Sequence, residues 1–120
     1  MSKPEHDRQI DYVEFPAADL AAVKQFYSSV FGWQFTDYGP DYTTFEAGRI
    51  GGGFRQEPAP SASGGRGGAL VILYAVDLEA MKAKVQAAGG KIVHTHEFPG
   101  GRRFHFTDPA GNELAVWSET

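Results

Sequence analysis

A short helical phrase is written twice in this chain. Asp19-Leu20-x-Ala22-x-Lys24 returns as Asp77-Leu78-x-Ala80-x-Lys82, and Gly32 returns as Gly90, an offset of 58 residues each time (19 to 77, 32 to 90). In a chain of 120 residues this is about half the length, so the chain reads as two copies of one supersecondary unit.

Both copies run in the same order. Ile10 to Phe15 reads as a strand ended by Pro16, which cannot donate to a sheet ladder. Asp19 is placed to cap a helix whose apolar stripe is Leu20, Val23, Tyr27, Val30 and Phe31, closed by Gly32. Strands are expected at Trp33 to Asp37, Tyr42 to Ala47 and Ile50 to Arg55. The second copy gives a strand at Ala69 to Val76 and a helix capped by Asp77, with the stripe Leu78, Met81, Val85 and Ala88. Strands follow at Lys91 to Phe98, Arg102 to Thr107 and Glu113 to Ser118. Residues 10–57 thus form a first βαβββ module and 69–118 a second, within one domain spanning 1–120. The Pro-, Ala-, Ser- and Gly-rich stretch 58–68 reads as their linker. The fold class is α+β: a curved mixed sheet with helices outside and a cleft inside.

Phe26-Tyr27-x-x-Val30-Phe31-Gly32-Trp33 after a capped helix start, with Phe106-x-Asp108-Pro109-x-Gly111-Asn112 before the last strand, resembles the vicinal oxygen chelate superfamily. That group includes glyoxalases, bleomycin-resistance proteins, fosfomycin-resistance enzymes and extradiol dioxygenases, and the resemblance runs from about Ile10 to Trp117 as a short single-chain bacterial branch. Metal-using members present His, Gln or Glu from the first and last strands of each module. The resemblance places those positions on Tyr12, on Val71 or Leu70, on Ala115 and near Gly51-Gly52-Gly53. Alkyl groups and bare backbone carry no side-chain lone pair for a cation, so the expectation is a cleft without the family's metal and without a cofactor. The triple glycine itself reads as a bulge or a close backbone approach, since no helix start follows it to hold phosphate.

A second constellation stands outside those positions. His94 and His96 are two apart and share one face of a strand, and the Phe98-to-Arg103 hairpin is expected to set His96 across from His105. Three imidazoles on one face are a possible zinc-type ligand set, and the alternative reading makes them polar residues of a half-buried hairpin with Phe104 and Phe106 turned to the helices.

Strand parity places Tyr12, Glu14, Phe54, Arg103, His105, Glu113 and Trp117 around a ligand, with His105 or Glu14 as the candidate general base. Eleven scattered Lys and Arg and a net charge of −4 argue against nucleic acid as a partner. The absence of cysteine excludes thiolate ligands and disulfides, and the polar first nine residues, with no apolar run of membrane length, point to the cytoplasm. The main expectation is therefore a protein resembling bleomycin-resistance members, binding a small organic molecule in its cleft. The alternative is a metal-dependent lyase or dioxygenase of the glyoxalase type with misaligned or relocated ligands. A third reading is a regulatory partner whose cleft is filled by its own side chains. The resemblance further implies a homodimer.

Overall fold

The computed structural model describes residues 4–58 and 67–119. The element order repeats as the sequence does: β1 (Tyr12–Ala17), α1 (Leu20–Phe31), β2 (Gln34–Asp37), β3 (Tyr42–Glu46), β4 (Gly51–Gln56), then β5 (Val71–Tyr74), α2 (Leu78–Ala87), β6 (Lys91–Phe98), β7 (Gly101–Thr107) and β8 (Glu113–Ser118). The chain folds into two βαβββ modules, each a four-stranded mixed sheet, ordered β1-β4-β3-β2 and β5-β8-β7-β6. Within each, the first strand pairs in parallel with the last and the other pairings are antiparallel. The single sheet expected from the sequence is thus two sheets. Most of the linker reading falls on 59–66, outside the described residues.

The caps explain why both helices begin where they do. Asp19 accepts from the Ala22 N–H at 3.1 Å and Asp77 from the Ala80 N–H at 3.0 Å, each from an extended backbone. Each carboxylate satisfies one amide that the helix itself leaves unpaired. Asp19→Ala and Asp77→Ala are each expected to lower unfolding free energy by about 1 kcal/mol in urea titrations, and nearly additively because the caps are separate. At the other end of α1, Gly32 adopts φ 74°, a left-handed turn that glycine enters without a Cβ clash.

Helix α1 buries Val23, Phe26, Tyr27 and Val30, whereas Leu20 and Phe31 of the expected stripe are only partly covered. Its aromatic face builds the core: Tyr27 stacks on Trp33 at 4.7 Å, and Trp33 on Phe45 at 4.4 Å. Phe26 and Phe31 reach Phe106 of the second module at 5.9 and 6.1 Å, so one aromatic layer joins the halves. Helix α2 contributes less, burying Leu78 and Val85 fully.

A polar clasp crosses the same seam. Tyr27 donates its hydroxyl to Asp108 Oδ2 at 2.8 Å, and Asn112 Nδ2 donates to the Pro16 carbonyl at 3.0 Å and to Asp108 at 3.2 Å. Asp108 Oδ1 also accepts the Ala110 and Asn112 N–H groups. Burial raises the Asp108 carboxyl above its ordinary range despite those bonds, and burial followed by the Asp108 charge raises the Tyr27 phenol.

Two local expectations change and one holds. Pro16 lies inside β1 rather than after it, because β1 is an edge strand. The strand expected at Ala69 to Val76 shortens to Val71–Tyr74. The glycine run is the close approach expected of it: a Cβ on Gly52 would collide with the Phe45 ring and the Val13 carbonyl, and one on Gly53 with the Tyr12 and Tyr42 hydroxyls. No helix among the described residues is long and apolar enough to cross a membrane.

Candidate metal centre

Alternation along the second sheet sorts its residues onto two faces. Phe104, Phe106, Leu114 and Val116 pack inward against the helices. Their neighbours point the other way, and the pairing aligns them in rows: His94, His105, Ala115 and Ile72 in one, His96, Arg103, Trp117 and Tyr74 in the next. Strand β6 enters these rows through a bulge between Ile92 and His94. Ile92 packs on the core, Val93 is half exposed, and from His94 onward the even-numbered side chains sit on the open face.

The turn fixes which histidines meet. Phe98 pairs with Gly101, and Gly100 at φ 101° closes a two-residue connection through Pro99. His94 therefore lies opposite His105, and His96 opposite Arg103, instead of the expected pairing of His96 with His105. The three rings still converge, with centroids 4.9 to 5.9 Å apart. One ligand-capable nitrogen from each lies within 4.8 Å of the others.

Each ring is held in a way that suits ligation. His105 is 7% exposed; its Nδ1 meets Glu113 Oε2 at 2.8 Å, and its Nε2 is buried with no protein partner. A carboxylate on Nδ1 selects the tautomer with the proton there and leaves the Nε2 lone pair for a cation. His94 Nε2 and His96 Nδ1 share one hydrogen bond at 2.9 Å, whose proton a cation would displace. Burial, followed by the nearby Arg103 charge and the other two histidines, lowers the His96 pKa and favours the neutral ring that ligation requires. This donor set fits a divalent ion that accepts imidazole.

The seam positions do not fit one. Ala115 is fully buried, Val71 turns toward the core, and the Tyr12 hydroxyl is bonded to the Tyr42 hydroxyl. Tyr12 and Glu14 instead belong to a network on the open face of the first sheet, where Tyr42 donates to Glu14 Oε2 at 2.8 Å and Arg55 pairs with Glu14 Oε1 at 3.2 Å. Burial, then the Tyr12 and Glu14 contacts, pushes the Tyr42 phenol upward. The structure thus brings Arg103, His105, Glu113 and Trp117 together on one sheet and puts Tyr12 and Glu14 on the other. Phe54 lies in the aromatic core, away from both open faces. Tyr74, Tyr42 and Arg55 were absent from the sequence-derived set, although strand parity marks Tyr74 as a neighbour of Trp117.

Comparison with solved structures gives relatives over nearly the whole chain. Lactoylglutathione lyase from Agrobacterium tumefaciens is 26% identical with a TM-score of 0.70, the match covering 92% of this chain and 93% of that one. A glyoxalase-related enzyme from Fulvimarina pelagi is 17% identical with a TM-score of 0.76, covering 92% and 88%. The E126Q mutant of the fosfomycin resistance protein FosX from Listeria monocytogenes, complexed with Mn(II) and 1S,2S-dihydroxypropylphosphonic acid, is 12% identical with a TM-score of 0.80, covering 94% and 91%. No curated protein matches the chain. The expectation of a metal-free binding protein is overturned by the convergent histidines. The candidate donors lie on β6 and β7, apart from the seam positions to which the family resemblance points. Residues 9–116 match the profile of the Glyoxalase/Bleomycin resistance protein/Dioxygenase superfamily, and the chain belongs to that superfamily.

Proposed function

We propose that the protein is a metal-dependent enzyme acting on a small molecule, a lyase or dioxygenase of the glyoxalase type, with its divalent ion held by His94, His96 and His105. The observation that carries this reading is the buried, unpartnered Nε2 of His105 within a triangle of imidazole nitrogens. The lactoylglutathione lyase and Mn(II)-bound FosX relatives support it.

A divalent cation so held supplies Lewis-acid polarisation of a substrate oxygen. The protein's own groups do the rest. Glu113 holds the His105 ring through Nδ1 and keeps its proton away from the ligating nitrogen. Trp117 and Tyr74, in edge contact at 5.1 Å, form an apolar wall on the adjoining strands. The open face is completed in this reading by a second copy, whose first sheet carries Tyr12, Tyr42 and Glu14; Glu14 is then the carboxylate available as a base, because His105 is committed as a ligand. The exposed Tyr12, Ile72 and Tyr74 on these faces favour such pairing.

The deciding experiment is elemental analysis of protein made without a polyhistidine tag, followed by titration with zinc, nickel, iron and manganese. One tightly held ion per chain is expected, lost in the His94→Ala/His96→Ala double variant. Failure of every ion to bind stoichiometrically overturns the reading.

A further inference from the structure

The row beside the histidines carries a charge that no carboxylate among the described residues neutralises. Arg103 lies between His96 and Trp117 in the sheet register. Its Nε is buried and makes no hydrogen bond, and no carboxylate pairs with it among the described residues. Arg55, on the open face of the first sheet, is by contrast paired with Glu14 and Glu57. An arginine with a buried, unsatisfied nitrogen is retained at a cost unless a ligand completes it. Its planar fork suits a carboxylate, which it can bind through two parallel bonds.

The surroundings restrict that ligand further. Trp117 is Arg103's neighbour on β8 and contacts Phe98 at 6.3 Å and Tyr74 at 5.1 Å, so aromatic surface flanks the guanidinium. The next row holds His105 beside Ala115. A molecule lying across both rows meets imidazoles at one end, a cation beside them and rings at the other.

We propose that Arg103 is the anion-recognition residue of this face and that the substrate is an aromatic carboxylate, its carboxyl group on Arg103 and its ring against Trp117. The assignment of the substrate's reacting end to the histidines rests on the metal reading above; the anion site itself does not.

Equilibrium binding of benzoate, benzyl alcohol and acetate, followed by tryptophan fluorescence and thermal shift on metal-free and zinc-loaded protein, tests it. Benzoate is expected to bind at least tenfold tighter than either control in both forms. Arg103→Met should weaken benzoate at least tenfold while leaving zinc affinity within about threefold, and Arg103→Lys should fall between the two. Trp117→Ala should weaken benzoate but leave acetate unchanged. Equal benzoate binding by wild type and Arg103→Met, or no preference over benzyl alcohol, overturns the proposal. Benzoate selectivity that survives in a protein unable to bind zinc upholds Arg103 and overturns only the metal reading.

Discussion

Replacing His105 with alanine is expected to lower zinc affinity by about 100-fold or more, the largest loss among single substitutions at the histidine cluster. The reason is position: His105 is the most buried of the three and the one whose tautomer is set by a carboxylate. His94 is exposed, and water can stand in for its contact more readily. Glu113→Gln should separate orientation from ligation, because it keeps the shape of the side chain and removes its charge. Its zinc affinity should fall by about 10- to 100-fold, the range for loss of a carboxylate behind a metal-bound imidazole. Calorimetric titration of the two variants, with circular dichroism to confirm that both remain folded, checks the order. Equal affinities for wild type and His105→Ala would place any bound ion elsewhere.

Asp108→Ala should produce the largest loss of stability, about 3–5 kcal/mol, because four donors converge on one carboxylate that is mostly buried. Removing it strands the Tyr27 hydroxyl and the Ala110 and Asn112 backbone N–H groups at the junction of the modules. Urea unfolding should show a lower midpoint. An unchanged slope would indicate that the halves still unfold together.

Asp108→Asn adds a test by pH. Burial raises the folded-state pKa, so the native protein holds this proton more tightly than the unfolded chain does. The resulting stabilisation is full below the unfolded value of about 4 and is lost as pH rises through the higher folded value. The Asn variant, which does not ionise, should therefore gain on wild type as pH climbs from about 4 toward neutrality. A constant difference across that range would show that the carboxyl is not perturbed.

The modules were legible because their signals are local. An Asp before an apolar stripe and a Gly after it fix each helix within one turn of chain, and the duplication at Asp19 and Asp77 shows that both signals recur together. Pro16 was misjudged because its effect depends on whether the strand lies at an edge, which only the sheet order reveals. The histidines were visible as a set, and their shared face followed from spacing alone. Their weight is not legible in the sequence, because the family resemblance puts ligand positions at the module seams. Neither the two-residue turn at Pro99-Gly100 nor the Glu113 contact is encoded in spacing; both emerge when β6, β7 and β8 are aligned.

The irregularity around Val93 makes this centre sensitive to chain length in a way that ordinary substitutions would not reveal. Upstream of it β6 feeds Ile92 to the interior, and downstream it presents His94 and His96 outward. Deleting that one residue would force a choice between dragging an isoleucine into water and turning two imidazoles toward hydrocarbon. A frame-preserving codon loss there would therefore act as an all-or-none switch between a sound interior and an intact ligand set, while almost any side chain at position 93 would leave both in place.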